Sequence, residues 1–341
     1  MANIYDVAKR AQVSVATVSA VLNESAFVSP DLKKRVEAAV TALRYRPNLL
    51  ARSLAKQRSQ TVGMIVPDIA NPFFPEVVRG AEDIAHSAGY TLLIASSDND
   101  LKKEDAYLRL FLAKRVDGVI LTKAPGAMQA DLQREFANAG VPIVLLARSV
   151  AGFRTDAVEL DDRDAAHEGV AHLLRLGYSR VGFIGGLAGA STSRRRLDGY
   201  RAALRDWKRP YDAALVVDGA FRVDAGRRAG LQLLRARPDA VFIANYLMSV
   251  GFIAALEQYR LRCPEDVAIV TCDDYPWIDA FSPRLTTLDL AKRDLGAVAA
   301  QLLFDRLAKP AGRPRTIRLK SALRVRESCG CALRHSAALV R

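Results

Sequence analysis

Cysteine and histidine are both scarce in this chain of 341 residues, which holds four of each. Four cysteines (Cys263, Cys272, Cys329 and Cys331) are too few for a disulfide framework at this length. Cys329 and Cys331 have no second pair at zinc-ligand spacing, so all four read as free thiols and no metal is expected. Long hydrophobic runs are missing too. No apolar stretch approaches the roughly 20 residues that a membrane helix needs, and the opening MANIYDVAKR lacks the apolar centre of a signal peptide. A cytoplasmic protein without membrane contact is expected. Catalytic signatures are absent as well. There is no Gly-x-Ser-x-Gly elbow, and the glycine-rich GFIGGLAGAST lacks the Gly-Lys-Ser/Thr ending of a phosphate-cradling loop and the spacing of a dinucleotide fingerprint. The expectation is a non-enzyme without a cofactor.

Negative charge is the remaining shortage. Against 50 Lys and Arg stand 37 Asp and Glu, a net charge of +13 that points to a polyanionic partner. The excess is concentrated: residues 1–60 carry ten Lys and Arg against four Asp and Glu. A short, dense basic segment favours nucleic acid.

What is present begins with three short helical patterns. IYDVAKRA places Ile4, Val7, Ala8 and Ala11 on one stripe. After the tight turn QVS, Ser14 is set to cap a second helix running to about Leu22. Val18, Val21 and Leu22 share its inner face, and positions 15, 16, 19, 20 and 23 share the outer one. In SPDLKKRVEAAVTALRY, Ser29 caps, Pro30 suits the first turn, and Leu32, Val36, Val40 and Leu43 form the apolar stripe. This is a helix-turn-helix arrangement with a third, bracing helix. RPNLLARSLAKQRS follows, a short helix after Pro47 that needs a partner or DNA to be stable.

These segments, with LARSLA, closely resemble the DNA-binding headpiece and hinge of the lactose-repressor (LacI/GalR) family, without a gap through about sixty residues. The resemblance implies that Tyr5, Ser14, Thr17, Ser19, Asn23 and Asn48 hold phosphates and that Val15, Ala16 and Ala20 face bases. Val15 and Ala16 suit thymine methyl groups. It further implies that Leu54, flanked by Ala51 and Ala55 at the same DNA surface, wedges into a central step of the minor groove. Ala20 departs from the larger polar residue common there, and Gln12 and Arg44 stand where the family often has Gly.

From Thr61 onward, strand candidates alternate with helical patterns: TVGMIVP, YTLLIAS, DGVILTK, PIVLLAR, AVELD, RVGFIGG, AALVVDG, AVFIAN, VAIVTC, TTLDL and RTIRLK. Such alternation means parallel sheets covered on both faces, here two of them. Ligands of open α/β sheets bind at the carboxyl ends of strands. The same family resemblance, shared with periplasmic sugar-binding proteins, places Asn71, Phe73, Phe74, Arg148, Thr192, Arg196, Phe221, Asn245 and Asp273 on ligand-contacting positions. One of the two phenylalanines is expected in the cleft and the other in the core. Ala147 and Tyr246 replace aspartates common in sugar-binding members, and with Arg148, Arg194, Arg195 and Arg196 nearby a basic cleft is expected, suited to a sugar acid.

The expected fold is an N-terminal all-α helix-turn-helix headpiece (1–46), a hinge (47–60), an α/β effector domain of two parallel-sheet, periplasmic-binding-protein-like lobes (61–329) and a loosely ordered tail (330–341). The expected function is a sequence-specific transcriptional regulator, a repressor, acting as a homodimer on double-stranded operator DNA under control of a small-molecule effector, a sugar or sugar acid. The rivals are a cytoplasmic sugar-binding protein and an enzyme on the same fold; neither accounts for residues 1–60.

Overall fold

The computed structural model describes residues 2–23, 26–45 and 58–332, and the chain divides into two units, Met1–Ser59 and Gln60–Arg341. In the first unit, α1 (Ile4–Ala11) opens on a capping box. Asn3 Oδ1 accepts from the Tyr5 and Asp6 amides at 2.9 and 3.1 Å, while the Asp6 carboxylate accepts from the Asn3 amide. α2 (Val15–Asn23) is capped by Ser14, whose Oγ accepts from the Thr17 amide at 3.1 Å. α3 (Pro30–Ala42) starts on a proline that has no amide hydrogen to satisfy, and Ser29 makes no side-chain cap bond, contrary to expectation.

Val7, Ala8, Ala11, Val18, Val36 and Ala39 form the core of this unit. Ala39 belongs to it although the sequence stripe named Leu32 instead; Leu32 stays half-buried outside the cluster. The Arg35 guanidinium donates to the Ala11 and Gln12 carbonyls at 2.7 and 3.0 Å, a cation at the carbonyl end of α1. Gln12 and Arg44 hold φ of 51° and 46°, the left-handed conformation that glycine would take without strain.

The second unit has two six-stranded sheets. Lobe 1 orders its strands β11-β5-β4-β3-β1-β2, all parallel, from β1 (Thr61–Val66), β2 (Thr91–Ser96), β3 (Gly118–Leu121), β4 (Ile143–Leu146), β5 (Asp156–Leu160) and β11 (Thr316–Leu319). Lobe 2 orders them β12-β10-β9-β8-β6-β7, from β6 (Val181–Gly185), β7 (Val216–Asp218), β8 (Ala240–Ile243), β9 (Ala268–Cys272), β10 (Thr286–Asp289) and β12 (Ala322–Arg324). All eleven strand candidates are strands. In AALVVDG the strand is confined to β7, after a 3-10 turn at Ala213–Leu215, and the twelfth strand, β12, was not foreseen. It is three residues long, antiparallel to β10 and largely exposed, so it carries little apolar signal. β3, β4, β8 and β9 are buried along their whole length, which is why they read as unbroken apolar runs.

In chain order the helices covering these sheets are α4 (Phe73–Ser87), α5 (Leu101–Ala113), α6 (Ala130–Ala139), α7 (Asp162–Arg175), α8 (Ser191–Asp206), α9 (Val223–Leu234), α10 (Tyr246–Gln258) and α11 (Lys292–Ala308). α4 and α11 touch through a reciprocal pair of glycines. A Cβ at Gly80 would lie 1.9 Å from the Arg293 carbonyl oxygen, and one at Gly296 would lie 1.8 Å from that of Val77. The chain passes between the lobes three times: after β5, after β10, and between β11 and β12. The Asp161 amide donates to the Leu319 carbonyl at 3.0 Å, tying the first passage to the third. The segment after Ser328 is more ordered than expected through Ala332. Cys329 is buried, and its carbonyl accepts from Tyr178 Oη at 3.1 Å.

Candidate functional site

A cavity of about 270 Å³ lies between the lobes at the carboxyl ends of their strands, and all nine residues expected at a ligand site line it. From lobe 1 come Asn71, Phe73, Phe74 and Arg148; from lobe 2 come Thr192, Arg196, Phe221, Asn245 and Asp273. Both phenylalanines line it, which corrects the expectation that one would retreat into the core. They meet edge to face at 5.1 Å, so each presents surface to the cavity while burying the other.

Most of the polar side chains are fixed by hydrogen bonds within the protein. Asn245 Oδ1 accepts from the Met248 amide at 3.0 Å and caps α10, while Asn71 Oδ1 accepts from the Phe73 amide at 3.1 Å in the turn ahead of α4. Asp273 sits at φ 75°, where its carboxylate accepts from the Tyr246 amide at 3.3 Å. Burial pushes the Asp273 carboxyl above its ordinary range, against the pull of Arg196 and Lys292. Phe221 is at φ 60° and its ring fits only because residue 186 is glycine; a Cβ there would lie 1.9 Å from Phe221 Cζ. Ala147, Asp98, Asn99 and Ala220, also in the lining, share positive φ. Such a concentration of strained backbone is a mark of a built site.

The two buried arginines are held differently. Arg196 donates from Nε to Asp162 Oδ1 at 2.8 Å and from Nη1 to the Ala244 carbonyl. Burial works against its charge, but the adjoining Asp162 carboxylate outweighs this and keeps the guanidinium protonated well above its usual range. Arg148 has only neutral hydrogen-bond partners among the described residues, donating to Asn99 Oδ1 at 2.7 Å and the Lys123 carbonyl at 3.0 Å. Burial pulls it down to about 10. Beneath it, Lys123 and Glu104 form a fully buried ion pair at 2.6 Å.

The expected arginine cluster is corrected by this geometry. Arg194 is exposed and Arg195 pairs with Glu159 at 2.6 Å; neither lines the cavity. The charged lining is Arg148, Arg196 and Arg222 against Asp68, Asp98 and Asp273, so the cleft is balanced rather than basic. Asp98 and Asn99 were missed by sequence reasoning, although SSDND follows β2 and the carboxyl-end rule applied there would have found them. Thr122, directly after β3, was missed in the same way. Tyr246 is withdrawn into an aromatic cluster with Tyr275 and Phe281.

In the first unit, Tyr5, Ser14 and Ala16 are exposed, while Thr17, Ser19 and Ala20 are half-buried. Thr17 Oγ1 and Ser14 Oγ are hydrogen-bonded at 2.9 Å. Val15, expected on the outer face, is half-buried and packs on the core cluster, because it starts the helix against the turn. Asn48, Ala51, Leu54 and Ala55, and the side chain of Asn23, lie outside the described residues. Among those described, no helix is long and apolar enough to cross a membrane, and no group of three or more His, Cys, Asp or Glu could hold a metal ion.

Comparison with known proteins follows the same two units. Residues 3–48 match the bacterial regulatory proteins of the lacI family, and residues 170–329 match the periplasmic binding protein-like domain. The chain is 32% identical over 335 residues to the HTH-type transcriptional repressor PurR of Photobacterium profundum, covering 96% of this chain and 98% of that one. It is 34% identical over 313 residues to the ribose operon repressor of Halalkalibacterium halodurans, covering 91% of each. Among solved structures it resembles the Lac repressor dimer bound to operator and the anti-inducer ONPF, with a TM-score of 0.85 and 25% identity over 96% of this chain and 99% of that one. The complex of the regulator CelR with cellobiose gives a TM-score of 0.73 at 30% identity, over 96% and 100% of the two chains. With a helix-turn-helix unit, a two-lobed cavity and relatives matched along nearly their whole length, the chain belongs to the LacI family of bacterial transcriptional regulators.

Proposed function

We propose that this regulator is a repressor whose hold on operator DNA is set by a small polyhydroxylated effector carrying an anionic group, bound between the lobes. The observation that carries the reading is Arg148, a buried guanidinium in the cavity wall whose described hydrogen-bond partners are all neutral. The carboxylates that act on it through space, Glu104 and Asp162, are already paired with Lys123 and Arg196. An effector carboxylate or phosphate supplies the direct ion-pair partner that Arg148 lacks, through a bidentate contact. Phe73, Phe74 and Phe221 stack on the CH faces of the ligand, and Asn71, Thr192, Asn245 and Asp273 grip its hydroxyls. The complex of CelR with cellobiose and the LacI family regulator of Enterococcus faecium with bound ribose support a small-molecule effector.

The protein acts by binding rather than turnover, as a homodimer. The exposed Leu93 and Ile94 of the edge strand β2 support a self-association surface. In the headpiece, Tyr5, Ser14, Thr17, Ser19, Asn23 and Asn48 hold phosphates, Val15, Ala16 and Ala20 face bases, and Leu54 with Ala51 and Ala55 enters the minor groove at the operator centre. The segments 1–46, 47–60, 61–329 and 330–341 serve as headpiece, hinge, effector domain and tail.

The test is thermal unfolding of the full chain with matched pairs, each hexose against its uronic acid and each pentose against its 5-phosphate. A ligand that binds only the folded state raises the midpoint. The reading requires stabilisation by the anionic member of a pair and a change in operator affinity on adding it. A second reading, a neutral sugar, is favoured by Asp68 and Asp98 in the lining. Stabilisation by the neutral members alone would establish it and overturn the first.

A further inference from the structure

The sheet of lobe 1 has two edges, and only the carboxyl edge borders the cavity. Because its six strands are all parallel, their amino ends lie together on the other edge. There the chain enters from residue 59 into β1, so this is the edge from which the segment leading to the DNA-binding unit departs. Five exposed cations come together at it. Lys114 and Arg115 precede β3, Arg154 precedes β5, Arg313 precedes β11, and Lys309 directly follows α11.

None of these five side chains has a hydrogen bond or ion pair within the described residues, whereas the neighbouring carboxylates are engaged. Asp156 is held by Arg306 at 2.8 Å, Asp305 by Arg315 at 3.2 Å, and Asp117 accepts from the Gln60 amide at 3.0 Å. Counting Asp117 against them, five cations without a partner among the described residues still leave the edge with a net positive charge. From β11 to β3 is three strand steps, about 14 Å at 4.8 Å per step. That length spans about four base pairs of helix axis at 3.4 Å each, enough to face several phosphates.

We propose that this edge is a second, sequence-independent DNA-binding surface, which holds backbone phosphates through Lys114, Arg115, Arg154, Lys309 and Arg313. The effector domain then takes part in binding DNA as well as in controlling it. Exposed lysines and arginines with no internal partner cost nothing to redirect toward phosphates, and each releases counterions as it does so. The proposal rests on DNA as the partner of this family member, and needs no assumption about the effector.

The experiment measures affinity for a random-sequence 40-base-pair duplex between 50 and 200 mM salt. It compares the full chain with a Lys114→Gln/Arg154→Gln/Lys309→Gln/Arg313→Gln variant, all exposed positions outside the cavity. The plot of log affinity against log salt should become shallower by at least about 1, since each phosphate contact contributes about 0.9 to its slope. A Lys114→Arg/Lys309→Arg variant should keep the original slope. An unchanged slope in the Gln variant would overturn the proposal, as would loss of poly-glutamate binding with DNA binding intact, which would assign the edge to an acidic protein. If the unsubstituted chain bound no duplex, its own affinity would show that the DNA reading itself fails; the edge is judged on the difference between the two proteins.

Discussion

Arg148 and Arg196 face one cavity from opposite lobes, exposed by only 6% and 5%. One has a carboxylate at 2.7 Å; the other has an amide and a carbonyl oxygen. Burial costs both of them hydration. In lobe 2 the protein itself supplies the counter-charge of Arg196, through Asp162. In lobe 1 Glu104 acts on Arg148 only through space and is already paired with Lys123, so Arg148 is less fully compensated. On the reading proposed above, the difference separates a residue that builds the site from one that selects its occupant.

The largest effect that sharpens this contrast is on stability. Arg196→Met should cost about 3–5 kcal/mol in chemical denaturation, because it leaves the fully buried Asp162 without its partner. A loss under about 1 kcal/mol would show that Asp162 is protonated and the pair not ionic. Arg148→Gln should instead keep the unliganded stability within about 1 kcal/mol, since the lost hydrogen bonds are offset by removal of a buried charge. Its effector affinity should fall about 100-fold, about 2.7 kcal/mol, by calorimetry. Equal losses of stability in the two variants would erase the distinction.

A third guanidinium, placed where nothing is buried with it, tests the surface limit of the same idea. Ala20→Arg, on the half-buried rim of α2, should leave the melting midpoint unchanged and shift the selected half-site toward guanine by about 1–3 kcal/mol. An unchanged half-site would show that position 20 meets no base.

The smallest expected effect involves a base that, unlike arginine, can shed its proton. His172 is buried, and burial with Arg175 nearby lowers its pKa below 6.5. Between that lowered value and 6.5 the unfolded chain binds more protons than the folded one, so this contribution to stability is complete above pH 6.5 and declines as pH falls through the window. His172→Gln should flatten the stability profile there. A parallel profile would mean that the imidazole is hydrated when folded.

Much of this was legible in the sequence, for identifiable reasons. β3, β4, β8 and β9 announce themselves because both faces are buried, and the nine cavity residues because strand ends and a family pattern coincide. β12 was not legible, since a three-residue exposed strand has neither period nor burial. Charge was the harder property. RRR at 194–196 looks like one basic cluster, yet successive residues on a helix point about 100° apart, so one faces solvent, one meets Glu159 and one meets Asp162. Pairing is a tertiary fact. Neither Asp162 nor Glu159 is near these arginines in sequence, and the turn SSDND that completes the Arg148 wall was passed over because its polarity resembles any loop.

The three passages of chain between the lobes have a mechanical meaning. Two bodies joined by a single strand can twist, slide and bend with respect to one another. Three short connectors side by side, two of them pinned by the Asp161 to Leu319 hydrogen bond, resist sliding and twisting and leave one easy rotation, as three barrels do on a door. Whatever occupies the cavity can then report itself along a single coordinate, the opening angle. Effectors of different shape would be distinguished by how far they turn the door, and an inducer and a corepressor would differ in the sign of one number.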